Sequence, residues 1–136
     1  MRTNFTLKLT LRLIALVQIV LGLAFLLAPD LTAAALSFAK APAWTNWLFG
    51  MMAARFLGYG YGMLLAANQP WQARSWISSM IGVQAIDWLV TLLYLWRGDV
   101  TLAQVTTASF LPVIFIAVLW VHFPRGTAAA TPPARL

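Results

Sequence analysis

Two residues of opposite charge lie in the middle of long apolar stretches of this chain. Arg55 is near the centre of the apolar run at residues 45–67, and Asp87 is near the centre of the run at 75–96. An ionisable side chain in hydrocarbon costs about 2.5–3.5 kcal/mol on insertion scales and needs a partner or water. A guanidinium and a carboxylate neutralise each other and form charge-assisted hydrogen bonds. We therefore predict an Arg55–Asp87 pair in the protein interior.

Three further polar side chains are expected to join this pair. Gln84 precedes Asp87 by three residues, so the two share one face of a helix. Tyr59 follows Arg55 by four residues, so these two residues also share one face of a helix. Gln18 is central in the first apolar run and could add a donor or an acceptor. Such a buried polar site can fix the register of two helices, or it can bind a ligand or a proton.

The chain offers little for catalysis or for metal binding. It contains no cysteine and a single histidine, His122, so thiolate chemistry and a site with several histidines within one chain are excluded. An imidazole can be an axial haem ligand, but His122 lies at the end of an apolar run, where an interfacial histidine is the commoner case. We expect no catalytic residue, no metal site, no cofactor and a non-enzymatic role.

The composition indicates a membrane protein. Hydrophobic residues make up 62% of the 136 residues and charged residues only 9%, whereas soluble domains average about 25% charged residues. The net charge of +6 would suit a nucleic-acid-binding protein if the basic residues formed a patch. They flank apolar runs instead, so we interpret them as topology signals and expect contact with the lipid bilayer and not with nucleic acid.

Four apolar runs are long enough to cross a bilayer, at about residues 9–28, 45–67, 75–96 and 100–123. We predict an all-α polytopic membrane protein whose residues 1–123 form one four-helix transmembrane bundle, followed by a disordered tail at 124–136. The first run could instead be a signal peptide, because a basic start precedes it and small residues follow it. Asp30 could begin a short surface helix that ends near Pro42, or this segment could be a plain loop.

The basic residues also predict the orientation of the chain. With the N-terminus inside, six basic residues fall on the cytoplasmic side and two on the outer side. The six are Arg2, Lys8, Arg12, Arg74, Arg125 and Arg135, and the two are Lys40 and Arg97. Both termini are therefore predicted to be cytoplasmic.

A stripe of small residues marks the second apolar run. It consists of Gly50, Ala54, Gly58, Gly62 and Ala66, which recur at every fourth position. In a membrane, small residues let helix backbones approach closely and gain dispersion contacts. The stripe is therefore predicted to pack against a neighbouring helix, within the chain, in a membrane protein partner or in a second copy.

Two more residues are unusual for their depth. Pro112 lies in the middle of the fourth run and leaves a carbonyl near residue 108 without its helical donor, which the Gln18 amide could supply. Trp88 is the one tryptophan expected deep in a run. The other six lie near the ends of the runs, as an interfacial belt requires.

Two segments of the chain resemble a known family. Residues 20–30 read VLGLAFLLAPD, and residues 54–66 read ARFLGYGYGMLLA. They resemble the small four-span bacterial proteins of the DoxX-like superfamily, in which the first span ends in a proline and an arginine precedes a glycine-rich second span. The resemblance implies a four-helix bundle in a bacterial inner membrane, and some members are associated with membrane redox complexes. It assigns no functional residue.

Three functions are compatible with these observations. The first is a non-catalytic accessory or interaction subunit with a buried Arg–Asp pair. The second is a proton-coupled small-molecule transporter that uses Asp87. Small four-helix multidrug transporters typically carry their essential acid in the first span, where this sequence has Gln18. The third is a membrane enzyme or a redox-associated membrane subunit, which the lack of cysteine, of a histidine cluster and of paired carboxylates disfavours.

Overall fold

The computed structural model describes residues 2–125 and consists of helices and their connections. In chain order, the helices are α1 (Arg2–Leu27), α2 (Pro29–Ala35), α3 (Thr45–Asn68), α4 (Arg74–Arg97) and α5 (Leu102–Val121). The all-α prediction is confirmed for this part of the chain. The predicted disordered tail lies outside the described residues from position 126 onward. The structure describes the first two residues of this predicted tail. Pro124 is buried, and Arg125 donates a hydrogen bond to the Trp120 carbonyl.

Three helical segments are long and apolar enough to cross a membrane, namely Phe5–Leu27 of α1, all of α4 and all of α5. The helix α3 has 24 residues, as many as α4. However, Arg55, four glycines and two tyrosines keep its hydropathy below the level that the other three reach. Three of the four predicted spans therefore have the length and apolarity of a membrane helix, and α3 has the length alone.

A short helix is present at the predicted surface segment, but it ends at Ala35 and not near Pro42. Pro29 occupies its first turn, where a missing backbone N–H costs nothing. The Thr32 hydroxyl donates to the Ala24 carbonyl over 3.0 Å and so ties α2 to the end of α1. Ser37 then adopts a φ of 61°, which turns the chain away from the helix.

The helices α1 and α3 form the closest pair. A Cβ atom added to Gly60 would lie 2.6 Å from Cγ1 of Ile19 and 3.2 Å from the Ala15 carbonyl oxygen. On the other helix, a Cβ added to Gly22 would lie 3.2 Å from the Ala53 carbonyl oxygen. Small residues on both helices therefore permit the close backbone approach that stabilises helix pairs in membranes.

The helices α4 and α5 form a second pair. The indole N–H of Trp88 donates a hydrogen bond of 2.9 Å to the Ser109 carbonyl. The helix α5 begins with a capping box between Thr101 and Gln104, which satisfies backbone donors in its first turn. The Gln104 amide also donates to the Ser37 carbonyl over 2.9 Å and so connects α5 to the segment after α2.

The two pairs meet in one hydrophobic core at one end of the molecule. The core contains Leu7, Leu11, Ile14, Ala15, Met63, Ala66, Ala67, Ile77, Met80, Phe115 and Leu119. These residues come from the first half of α1, the end of α3, the start of α4 and the end of α5. The core thus lies at the end predicted to be cytoplasmic. Before Met63 in α3 and after Met80 in α4, the partly buried Tyr59 and Ile81 pack against this core, but no residue belongs to its buried set. Over their whole length, α3 and α4 make few contacts with each other.

Candidate functional site

An open cleft lies between α3 and α4, beside the hydrophobic core. Its volume is about 450 Å³. Its lining, which defines the α3–α4 cleft, consists of Arg55, Gly58, Tyr59, Ser75, Trp76 and Ser79. Its α4 side alternates along the chain with the core residues Ile77 and Met80. Two of the predicted site residues, Arg55 and Tyr59, lie in it.

Contacts between the two helices position the aromatic residues of the cleft. The hydroxyl oxygens of Tyr59 and Ser79 lie 3.2 Å apart and form a hydrogen bond between α3 and α4. The rings of Tyr59 and Trp76 meet edge to face, with centroids 6.0 Å apart. Gly62 makes room for the Trp76 ring, which any Cβ at this position would overlap. The glycine therefore allows the indole to lie directly against α3.

Arg55 and Asp87 lie on the two facing helices, and both are exposed. The charge of Arg55 acts on the Asp87 carboxylate, but the two side chains form no salt bridge. Within residues 2–125 the structure shows one salt bridge, between Arg97 and Asp99 at 2.9 Å. The predicted direct pair is therefore not formed, and the two helices that carry these residues make few contacts with each other.

The two glutamines of the predicted polar site lie elsewhere. Gln84 is buried, and its amide donates to the Met80 sulfur over 3.6 Å. Gln18 is also buried, and it takes part in none of the side-chain hydrogen bonds described for residues 2–125. The donor that reaches the kinked helix α5 is Trp88, not Gln18. A deep tryptophan opposite a mid-helix proline is the sequence signal that could have identified this bond.

The structure divides the predicted stripe of small residues. Gly62 and Ala66 are buried, whereas Ala54 and Gly58 are exposed. A Cβ added to Gly50 or Gly58 would meet nothing within 4 Å. The reason is geometric, because residues four apart on an α-helix are rotated by about 40° from one another. The stripe therefore begins on an uncovered side of α3 and turns until Gly62 packs against Trp76 of α4.

The small residues that face α1 follow a seven-residue spacing instead. Ala53, Gly60 and Ala67 are all buried, and the first two lie at close approaches to α1. A seven-residue repeat drifts by only about 20° per step and therefore stays on one side of the helix. This spacing is visible in the sequence and could have identified the α1-facing side of α3.

The α3–α4 cleft is lined by an arginine, hydroxyl groups and aromatic rings, and its described lining contains no His, Cys, Asp or Glu side chain that could bind a metal ion. Within residues 2–125, no group of three or more His, Cys, Asp or Glu residues could hold a metal. His122 lies apart, with Nδ1 at 3.0 Å from the Val118 carbonyl oxygen at the end of α5. Comparison of the chain with protein-family models, with curated proteins and with solved structures gives no match.

Proposed function

We propose that this chain crosses the membrane four times and serves as a non-catalytic accessory or interaction subunit that binds its partner through α3. The observation that carries the proposal is the uncovered face of α3, formed by Gly50, Ala54 and Gly58. In membranes, small residues are enriched where helices touch. This face has no neighbour within the described chain, so a helix of a partner protein or of a second copy fits it.

The packing of α3 supports its placement in the membrane. Its middle third contacts α1 at two levels seven residues apart, through Ala53 against Gly22 and through Gly60 against Ala15. The helix α1 has the length and apolarity of a membrane span. At about 1.5 Å per residue, α3 is also long enough to cross the roughly 30 Å hydrocarbon core. If α1 spans the bilayer, α3 therefore lies beside it at the same depth.

Site-specific photocrosslinking in native membranes tests this function. A photoreactive residue placed at Ala54, in the uncovered face, is expected to give one protein adduct of defined mass. The matched control is Ala117, an exposed alanine on α5 that lies outside this face. Protein adducts at both positions, or lipid adducts alone at both, would show that α3 has no dedicated partner surface.

A small-molecule transporter is the second candidate, and one observation favours it. The α3–α4 cleft is open, and the exposed carboxylate of Asp87 lies on the helix that forms one of its walls. A proton-coupled carrier needs a group of this kind along its pathway. Proteoliposomes containing a pH-sensitive dye should then show a proton flux that Asp87→Asn abolishes and Asp99→Asn leaves intact. No flux in the unmodified protein counts against this candidate.

The DoxX-like affiliation and the bacterial inner membrane remain proposals based on residues 20–30 and 54–66. A redox-associated role rests on the same resemblance. Isolation of the protein from its native membrane together with its bound partners tests the redox-associated role. If that role is correct, a redox complex should be recovered with the protein.

A further inference from the structure

The polar side chains that line the α3–α4 cleft are hydrogen-bond donors. Arg55 presents five N–H donors and no acceptor, and the Ser75 hydroxyl can donate one hydrogen bond. Because the Tyr59 and Ser79 hydroxyls bond to each other, one of the two donates within this pair and the other can donate to a ligand. The nearest acidic residue on these helices, Asp87, does not line the cleft. A carboxylate or a phosphate group, which only accepts hydrogen bonds from such a lining, therefore matches it in charge and in hydrogen-bonding character.

The surface that continues from the cleft along α4 is apolar. Ile86, Val90 and Leu93 follow Ser79 at intervals that keep them on one side of the helix. Their exposed fractions are 62%, 48% and 47%. A ligand that binds the donors of the cleft with an acidic group would therefore meet hydrocarbon surface beyond it.

The direction of this surface agrees with the orientation of a membrane lipid. Ser75 and Ser79 lie in the first two turns of α4, at the end of the molecule that contains the core. Ser79 is about 8 Å along the helix axis from Arg74, at the rise of an α-helix. The apolar residues from Ile86 to Leu93 lie deeper. A lipid of the adjacent leaflet would place an acidic group near Ser75 and Ser79 and its chain in the same order. The backbone of Arg55 lies deeper, about 20 Å from the end of α3, so this residue lines the cleft from its deeper end.

We propose that the α3–α4 cleft binds an anionic amphiphile, with its carboxylate or phosphate on Arg55, Tyr59 and Ser79 and its acyl chain along α4. A free fatty acid and an anionic phospholipid share this chemistry. The ligand neutralises the Arg55 guanidinium, which forms no salt bridge within residues 2–125. The cleft shares only Gly58 with the uncovered face of α3, so this site goes beyond the proposed partner contact.

The test uses the purified full-length protein in an uncharged detergent and two matched pairs of probes. Oleate is compared with oleyl alcohol, and dioleoyl phosphatidic acid with dioleoylglycerol. The acidic member of at least one pair is expected to raise the melting temperature in a saturable manner, and the uncharged member is not. Binding of oleate alone indicates a free acid as the ligand, and binding of phosphatidic acid alone indicates a phospholipid. Equal effects within both pairs overturn the proposal.

Variants separate a specific site from general attraction to a basic protein. Arg55→Gln should weaken binding by about tenfold or more, the loss expected for hydrogen bonds to a charged group. The control is Arg12→Gln, which removes an exposed arginine of α1 outside the cleft and should change the affinity less than about twofold. Equal losses in the two variants overturn the site.

A second variant keeps the test decisive if Arg55→Gln does not fold. Tyr59→Phe combined with Ser79→Ala retains the guanidinium and removes the two hydroxyls of the cleft. It should weaken binding by about fivefold, within the range for loss of ordinary hydrogen bonds. Quenching of tryptophan fluorescence by a bromine-labelled chain of the bound acid provides an independent reading, because Trp76 lines the cleft. Unchanged affinity and quenching in this variant contradict the proposed contacts.

Discussion

The indole N–H of Trp88 in α4 donates a hydrogen bond to the backbone carbonyl oxygen of Ser109 in α5, over 2.9 Å. Pro112 follows in the next turn of α5 and has no N–H to donate to the carbonyl of Ala108. The preceding turn is also irregular, with φ −118° and ψ 21° at Val105. A side chain from α4 therefore supports α5 where its own backbone hydrogen bonding is weakened, as neighbouring helices do at prolines in membranes.

Replacing this tryptophan should lower stability. Trp88→Phe keeps most of the aromatic surface and removes the donor, so we expect a loss of roughly 0.6–1.7 kcal/mol, the range for interhelical hydrogen bonds in membranes. Unfolding in mixed detergent micelles measures the change. The control is Trp96→Phe on the same helix, where the side chain is 84% exposed. Equal losses of unfolding free energy in the two variants would show that the hydrogen bond does not contribute to stability.

Two glycines of α3 should respond oppositely to the same substitution. Gly60→Ala places a methyl group 2.6 Å from Cγ1 of Ile19 and 3.2 Å from a backbone oxygen of α1. The helices must then move apart, at a cost of about 1–3 kcal/mol for overpacking. Gly58→Ala meets nothing within 4 Å and should leave the monomer as stable or slightly more stable, because alanine favours helix. The melting temperatures of the two variants in detergent are compared with that of the unmodified protein. A lower melting temperature for Gly58→Ala but not for Gly60→Ala would contradict the prediction.

The helices themselves could be predicted well from the sequence. The predicted run at 45–67 corresponds to α3 at Thr45–Asn68, and the run at 75–96 corresponds to α4 at Arg74–Arg97. Local signals set these ends, because Pro70 follows the first helix closely and Gly98 ends the second with a φ of 76°. Helix bounds therefore depended on nearby residues, which the sequence displays directly.

The relations between helices were harder to predict. The predicted Arg55–Asp87 pair depended on similar depth, since Arg55 lies 13 residues before the end of α3 and Asp87 lies 13 residues after the start of α4. No salt bridge joins the two side chains. The distance between the helices is set by the core around Met63 and Met80 at one end, and no spacing in the sequence reports it. A direct contact between Arg55 and Asp87 could be predicted only if the distance between α3 and α4 were known as well as the depth of each residue along its helix.

The number of membrane crossings predicts the side of the C-terminus. If α3 crosses with α1, α4 and α5, both termini lie on one side, whereas three crossings place them on opposite sides. Reporter fusions after residue 136 should be active only as cytoplasmic reporters, given the predicted cytoplasmic N-terminus. A fusion after Gln72, between α3 and α4, should behave in the same way. A periplasmic signal from either position contradicts the crossing of α3.

The separation of Arg55 and Asp87 predicts how their substitutions combine. A buried pair in direct contact loses roughly 3–5 kcal/mol when one partner is removed, because the other charge is left uncompensated. Here both side chains are exposed and no salt bridge joins them, so the interaction acts over a longer distance and is weaker.

Arg55→Met and Asp87→Leu should therefore have nearly additive effects on unfolding in bilayer-like micelles, with a coupling energy below about 0.5 kcal/mol. The double variant completes the cycle, and Arg97→Met with Asp99→Leu provides a reference pair in contact at 2.9 Å. A coupling of about 1.5 kcal/mol or more between Arg55 and Asp87 would mean that the bilayer closes the α3–α4 cleft and brings the two charges into contact. In that case Arg55 would no longer be available to an acidic ligand, and binding of oleate and closure of the cleft would compete.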